Sequence, residues 1–530
     1  MPTSRASARQ RPACPPAETL LTTIHHEGRK GIPLLRLLAA TALAMGILAA
    51  PAFAQSGKET LTIDLPNDAA TLDPHLQWNT DSYSVYRNIF DNLVTRDADG
   101  KVVPQIATAW KYVDDKTLDF DIREGVTFHD GSKLTAEDVA YSVNRIIDPE
   151  LKSPQFSQFS QIEKAEALED GKVRITTKSP YPALLAQLVK LSIVPKAYVE
   201  KVGDAGFNAK PIGSGPYKFV SHQDGVRTEL DANEDYWGGT PPFKHVTFRA
   251  VPDVSTRIAD LRTGQADLVR DVPPDQAVTL KDEPNVQILS VPTERVGYLY
   301  INAEAGPTKD VRVRKAIAYA IDRQGLVEAL LEGYGKPVDV IGAPPVFGYT
   351  EDVKGYDYDP EKAKELVKEA GAEGAKIEFL TSPSYSRAMV EAIQQMLNDV
   401  GLDTEIVSSD QATFLKRRQG DPANAASIAF GRWSCACQDA DGIIYPLFRT
   451  GSTWAKYSNP DFDAAVDAAR STLDKDERQK DYVTAYKILR EDVPGIGLYQ
   501  DYALYGANSH LKWQPTPNES MFVMDMSWQQ

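Results

Sequence analysis

Between Asp359 and Val407 the hydrophobic period switches repeatedly between helical and strand-like, and this alternation constrains the fold more than any other feature of the chain. Asp359-Pro360 opens a helix, with Pro in the first turn where its missing N–H costs nothing. Ala363, Leu366, Val367 and Ala370 then share one face before Gly371. Ile377–Leu380 is an apolar run of strand length, Arg387–Val400 returns to the helical period, and Asp403–Val407 reads as a second strand. Two strands joined through a helix lie parallel, and parallel pairs are covered on both faces. The chain is therefore α/β.

The remainder mixes the same signals. Leu61–Leu65 and Leu118–Ile122 alternate like strands, the second just before the turn-like Arg123-Glu124-Gly125; Val173–Thr176 and Val246–Phe248 add two more. Thr135 reads as an N-cap with Asp138 in the capping-box position; Val139, Val143 and Ile146 share a face, and Pro149 ends the run. Asp253 to Leu268 reads as a helix, a stop at Gly264 and a strand, with Ile258 and Leu261 inward and Thr256, Arg257, Asp260 and Arg262 outward. From Asp310, Val313, Ile317, Ala320 and Ile321 line a helix face, and Asp322 caps a following helix, Arg323–Leu331, that stops at Gly333. At about 100–200 residues per domain, 530 residues make more than one packed unit, and two lobes are expected.

The first 54 residues stand apart. Basic residues dominate up to Arg36, an uncharged apolar run follows from Leu37 to Ala50, and Ala52-Phe53-Ala54 ends it. This is the pattern of a secretory signal cut after Ala54. The run is shorter than the roughly 20 apolar residues of a spanning helix, and no Cys follows it, so a soluble exported protein without a lipid anchor is expected. The segment holds six basic residues against Glu18 and Glu27, so without it the net charge of −16 becomes −20. Such a chain is ill-suited to nucleic acid or an anionic membrane surface. Of its three cysteines only Cys435 and Cys437 follow Ala54. Two residues apart, they close a small ring or remain free thiols; both readings stand. No further Cys or His completes a metal set with them.

Catalytic motifs are weak. Ile212-Gly213-Ser214-Gly215 lacks the glycine that a nucleophile elbow needs two residues before its serine, and Pro211 and Pro216 frame a tight turn instead. No two histidines stand at helical spacing, and phosphate-binding glycine loops are missing. What remains is aromatic and polar richness in loops. Trp433, in Arg432-Trp433-Ser434-Cys435-Ala436-Cys437-Gln438-Asp439, floors a ligand pocket or is buried between lobes. Asn79-Thr80-Asp81-Ser82-Tyr83 gathers further hydrogen-bonding groups after Asp73-Pro74.

Taken together, several stretches resemble the periplasmic solute-binding proteins of ABC importers that serve peptides, nickel chelates and opines (family 5). In order they are Leu72-Asp73-Pro74, REGVTFHDGSKLTAEDVAYSVNRI from Arg123, IGSGPYKF from Ile212, NEDYWGG from Asn233, RIADLRTGQADLV from Arg257, DVRVRKAIAYAIDRQGLVEALLEGYGKP from Asp310, YDPEKAKELVKEAG from Tyr358 and YSNPDFDAAVDAAR from Tyr457. The resemblance implies a large, class II type, two-lobed periplasmic-binding-protein fold with an extra subdomain in the first lobe and two interlobe crossings. It places a signal peptide at 1–54, the first lobe at 55–100, 211–295 and 506–530, the extra subdomain at 101–210 and the second lobe at 296–505. It also implies a monomer without catalysis or cofactor that captures a solute and hands it to a membrane permease.

Dipeptide- and oligopeptide-binding members carry Trp-x-x-Asp in the loop of Trp433, and that Asp holds the peptide ammonium. The matching residue here is Ala436, with Asp439 or Asp81 as candidate substitutes. The resemblance implies a peptide or peptide-like small solute as the ligand; a buried ammonium without its carboxylate is costly, so this loop favours an opine, a sugar conjugate or a blocked peptide within that class. The expected cleft residues are Asn79, Ser82 and Tyr83 from one lobe and Tyr385, Arg432, Trp433, Ser434, Cys435 and Trp454 from the other. A nickel-chelate or haem carrier is the alternative within the family, and a secreted hydrolase the alternative outside it.

Overall fold

Lys376–Thr381 and Asp403–Ser408 pair in parallel, joined through the helix Arg387–Asp399, as the alternation from Asp359 requires. Asp359 caps the preceding helix Pro360–Glu369 by accepting the N–H of Lys362. The structure, a computed structural model, describes residues 58–77, 79–97, 100–435 and 437–529. The segment expected to direct export, with its expected cut after Ala54, and Ala436 lie outside the described residues.

The parallel pair forms one end of an eleven-stranded mixed sheet. Two long antiparallel strands, Val286–Ile301 and Gly495–Asn508, run through its middle with register shifts after Pro292 and after Gly297. On one side the sheet continues through Leu268–Arg270, Thr60–Leu65 and His245–Ala250; on the other it continues through Ile428–Trp433. The long strands feed two separate cores: Val291 packs with Tyr86, Tyr217 and Tyr505, whereas Leu299 packs with Ile317, Phe379 and Ile393. A third core lies under a four-stranded antiparallel sheet, where the helix Ala136–Ile146 packs on Ile162–Ala167 and Lys172–Thr177. That helix starts on the capping box of Thr135 and Asp138, and Val139, Val143 and Ile146 are buried. A fourth core joins the helices Pro460–Ser471 and Lys475–Asp492 around Phe462, Tyr482 and Tyr486. Among the described residues no helix is long and apolar enough to cross a membrane.

Local expectations fare differently. Gly264 ends its helix in the left-handed conformation at φ 72°, as a glycine stop should. Arg257, expected on the outward face of that helix, is buried: its guanidinium donates to the carbonyls of Val251, Pro252 and Asp271, so loop carbonyls just beyond two strands, rather than water, satisfy it. The Gly213-Ser214-Gly215 turn is structural. A Cβ at either glycine would collide with the Ile89 backbone, and Ser214 donates its hydroxyl to buried Asp91 at 2.9 Å. Cys435 and Cys437 form a disulfide.

Candidate functional site

Where the long strands pass between the two larger cores, a cavity of about 680 Å³ opens, well within the span of small-ligand sites. Asn79 and Tyr83 at the start of the helix Thr80–Tyr86 form one wall. Glu294 and Arg295, at the register shift of the strand Val286–Ile301, reach it from the crossing, joined by Glu519 from the C-terminal segment. Trp433, at the end of the strand Ile428–Trp433, continues through Ser434 and Cys435 to form the facing wall with Asp441, Tyr445 and Trp454. Tyr181, Gln187 and Lys190 contribute from beside the small sheet. A second pocket, by Tyr486 and Phe448, encloses only about 50 Å³, room for little more than water.

Asn79, Tyr83, Trp433, Ser434, Cys435 and Trp454 thus come together on one cavity, while Ser82, Tyr385 and Arg432 do not line it. Ser82 is buried, its hydroxyl accepting the N–H of Ala70 and its own N–H capped by Asn79. The Tyr385 ring sits edge-on to Phe414 and Phe430, at 5.4 and 5.3 Å between centroids, inside the lobe. Arg432 precedes Trp433 in a strand, where neighbours face opposite ways, and it pairs with Asp501 instead. Trp433 donates its indole N–H to the Gly442 carbonyl at 2.9 Å and meets Trp454 edge to face at 5.4 Å.

The charged residues of the cavity escaped the sequence reading. Glu519 accepts from Arg270 at 2.7 Å and from Arg295 at 2.8 Å. Burial alone would raise its pKa, but the two guanidiniums outweigh it and hold the carboxyl at about 2. Arg270 also pairs with Asp81, and Asp439 is held by Arg478 and Tyr482. Neither candidate substitute is therefore open to a ligand ammonium. Asp441 is better placed. Burial pushes its carboxyl up to about 6, against the pull of Arg470. Arg470 Nε lies 2.8 Å from Asp441 Oδ1, yet the angle makes no hydrogen bond and that oxygen has no other hydrogen-bond partner. Glu294 is also raised by burial, with Lys190 opposing, and its Oε2 has no hydrogen-bond partner. Lys190, lowered by burial, donates to Gln158 at 2.7 Å. Carboxylate side chains, each with a buried and unpartnered oxygen, therefore line the cavity close to cationic groups.

Three of these residues left a trace in the sequence. Glu294-Arg295 is a charged pair inside an otherwise uncharged strand, and a buried charge is the informative observation. Asp441 lies two residues beyond the Arg432–Asp439 stretch. Lys190, Arg470 and Glu519 reach the cavity only through tertiary structure. Away from it, His222 meets Asp68 and Asp224 at 3.5 and 3.0 Å, the one group of possible metal-ligating side chains found together among the described residues.

Comparison with known proteins converges on one group. The model for bacterial extracellular solute-binding proteins, family 5 Middle, matches residues 101–455. The glutathione-binding protein GsiB of Salmonella typhi is 31% identical over 479 residues, 87% of this chain and 92% of that one. Among solved structures, the periplasmic binding protein DppA from Helicobacter pylori, in complex with the peptide STSA, is 26% identical with a TM-score of 0.76, covering 89% of this chain and 98% of that one. AgaA from A. tumefaciens R10, in complex with agropinic acid, is 26% identical with a TM-score of 0.74, covering 89% and 99%.

Proposed function

Because the chain belongs to family 5 of the bacterial extracellular solute-binding proteins, non-enzymatic components of ABC importers, we propose that it captures a small peptide-like solute carrying both an ammonium and a carboxylate. The observation that carries this reading is the pair of buried carboxylates on the cavity, Glu294 and Asp441, each with an oxygen that has no hydrogen-bond partner. Buried polar groups ordinarily find partners, and a ligand ammonium supplies one when a side-chain rotation turns these buried oxygens to the cavity. Lys190 and Arg295 on the same cavity can receive the carboxylate. Ala436 alone would favour a solute without an ammonium; Glu294 and Asp441 replace the missing Asp from other positions. Trp433 and Trp454 supply the apolar surface between the charged ends.

The solute bridges groups from both halves of the sheet, so binding favours the arrangement in which the halves close on it, and that form is delivered to the permease. Export through a signal cut after Ala54, residence in the periplasm and a monomeric state belong to the same proposal. A thermal-shift panel on the purified protein tests it, with free di- and tripeptides, glutathione, opines, N-acetylated peptides and sugars. A ligand at 100 times its dissociation constant adds about 2.7 kcal/mol of stability. Stabilisation by zwitterionic members is expected; stabilisation only by blocked peptides or sugars would overturn the reading.

A further inference from the structure

The Cys435–Cys437 disulfide sits on the cavity wall and does little for the fold. A disulfide stabilises chiefly by restricting the unfolded chain, and the effect grows with the loop it closes. This bridge joins residues only two apart, so the unfolded chain is scarcely restricted. Its surroundings are nevertheless specific. A Cβ on Gly442 would collide with both sulfurs, and the carbonyl of that glycine accepts the Trp433 indole N–H. Disulfide, glycine and indole are one packed wall. The two sulfurs are also unequal: Cys437 is fully buried, whereas Cys435 is only part-buried and lines the cavity.

We propose that the solute carries a thiol and that Cys435 exchanges with it reversibly; this rests on the cavity being the solute site. The solute's thiolate attacks Cys435 Sγ, the only sulfur of the pair that lines the cavity. A bond forms between the solute sulfur and Cys435 Sγ while the Cys435–Cys437 bond breaks, and the electron pair leaves on Cys437 Sγ. The proton lost by the solute thiol is regained on Cys437, whose Sγ lies 3.7 Å from the Asp439 carbonyl oxygen and can donate to it. Return attack by Cys437 on Cys435 Sγ restores the disulfide and frees the solute as a thiol, with no net oxidation or reduction. The exchange is a covalent latch on a bound solute that opens without any added reductant.

Glutathione and cysteinylglycine are the probes, with S-methylglutathione as the thiol-free control. Oxidised protein is mixed with each thiol, quenched in acid and analysed by intact mass and peptide mapping. The expected result is a mixed disulfide on Cys435, forming at a rate that saturates with peptide concentration and exceeds the 2-mercaptoethanol rate by at least about tenfold at equal thiolate, as positioned reactants should. Cys437→Ser, loaded with oxidised glutathione, should keep its adduct when the excess is removed. First attachment at Cys437, or a linear rate no faster than 2-mercaptoethanol, overturns the exchange even if Cys437→Ser fails to fold. Calorimetry separates the two claims. Binding of S-methylglutathione without exchange of either thiol overturns the latch and leaves the solute site standing. No binding and no exchange overturns the latch; if thiol-free zwitterionic peptides also leave stability unchanged, the reading beneath it falls too.

Discussion

A single guanidinium nitrogen of Arg478 holds both oxygens of Asp439, at 2.9 and 3.0 Å, with both side chains buried. The same carboxylate accepts the N–H of Asp441 at 3.0 Å and so fixes the short turn Ala440–Gly442 that carries Asp441 to the cavity. Asp439 is thus a support of the site, reached by no solute. Asp439→Asn should cost about 3–5 kcal/mol, the range for breaking a buried pair, and should appear as a lower urea midpoint. A midpoint equal to wild type would return Asp439 to the list of ligand groups.

Asp441 sets a pH dependence of binding. Its ordinary pKa is 3.8 and burial raises it to about 6. Its carboxyl is therefore neutral below that value and attracts an ammonium only above it. A bound ammonium lowers the pKa, so binding releases a proton: through Asp441, affinity should rise by up to about tenfold per pH unit between pH 5 and 6, and above that only the likewise raised Glu294 adds slope. Asp441→Asn should flatten the profile by up to one proton, leaving any slope due to Glu294. A raised folded pKa also means that ionisation opposes folding as pH rises through that window, so the unliganded variant should melt higher at pH 7. Titration calorimetry from pH 5 to 8 decides; identical wild-type and variant profiles would remove Asp441 from the site.

Sequence alone made the scaffold legible because its signals are local. The capping box at Thr135, the Pro360 helix start and the parallel pair at Lys376–Thr381 each depend on residues a few positions apart. Trp433 and its neighbours were legible as an unusual composition without helical or strand period, although the structure ends a strand at Trp433. Arg432 was misread because strand alternation turns it away from Trp433, a consequence visible only once the strand is known to reach Trp433. Glu519 could not be found, since its partners Arg270 and Arg295 lie 249 and 224 residues away. Asp81 was misread for the same reason: the arginine that occupies it is 189 residues distant.

Glu519 joins the C-terminal segment to two strands, and its loss should be felt by the whole domain. Its folded pKa lies near 2, below the ordinary 4.5. The stability this carboxylate contributes is therefore complete above about pH 4.5 and is lost as pH falls towards 2. Glu519→Gln leaves Arg270 and Arg295 without their shared charge, at a cost of about 3–5 kcal/mol at neutral pH. The difference between variant and wild type should shrink below pH 4. A denaturation series at pH 7 and pH 3 checks both statements, and an equal difference at the two values contradicts the assignment.

Ser214 is predicted to matter for stability and not for chemistry. Its hydroxyl is one of four donors to buried Asp91, alongside Gln105, Tyr236 and Trp237. Ser214→Ala should cost about 1–3 kcal/mol, the range for a buried acceptor losing a partner, while ligand affinity is unchanged. Gly213→Ala is expected to be worse, because its Cβ would meet the Ile89 carbonyl oxygen, a backbone atom that cannot swing away. Thermal melting ranks the two; a Gly213→Ala protein as stable as wild type would refute the close approach.

Trp433 joins the apolar part of the site to its covalent part. The indole N–H is anchored on Gly442, the ring edge faces Trp454, and the next residues are Ser434 and the disulfide. Its anchoring leaves little rotamer freedom to lose when a solute arrives, so contact with the ring is converted into affinity with small entropic loss. Trp433→Ala should weaken binding by at least about 1–2 kcal/mol, from lost ring contact, which is roughly a five- to thirtyfold higher Kd. Trp433→Phe keeps most of the apolar face but leaves the Gly442 carbonyl without its donor, so it should fall between the two. Calorimetry on a zwitterionic ligand, with the melting temperature of each unliganded protein measured alongside, separates contact from packing. Lower stability with unchanged Kd in Trp433→Ala would make the residue a part of the wall alone.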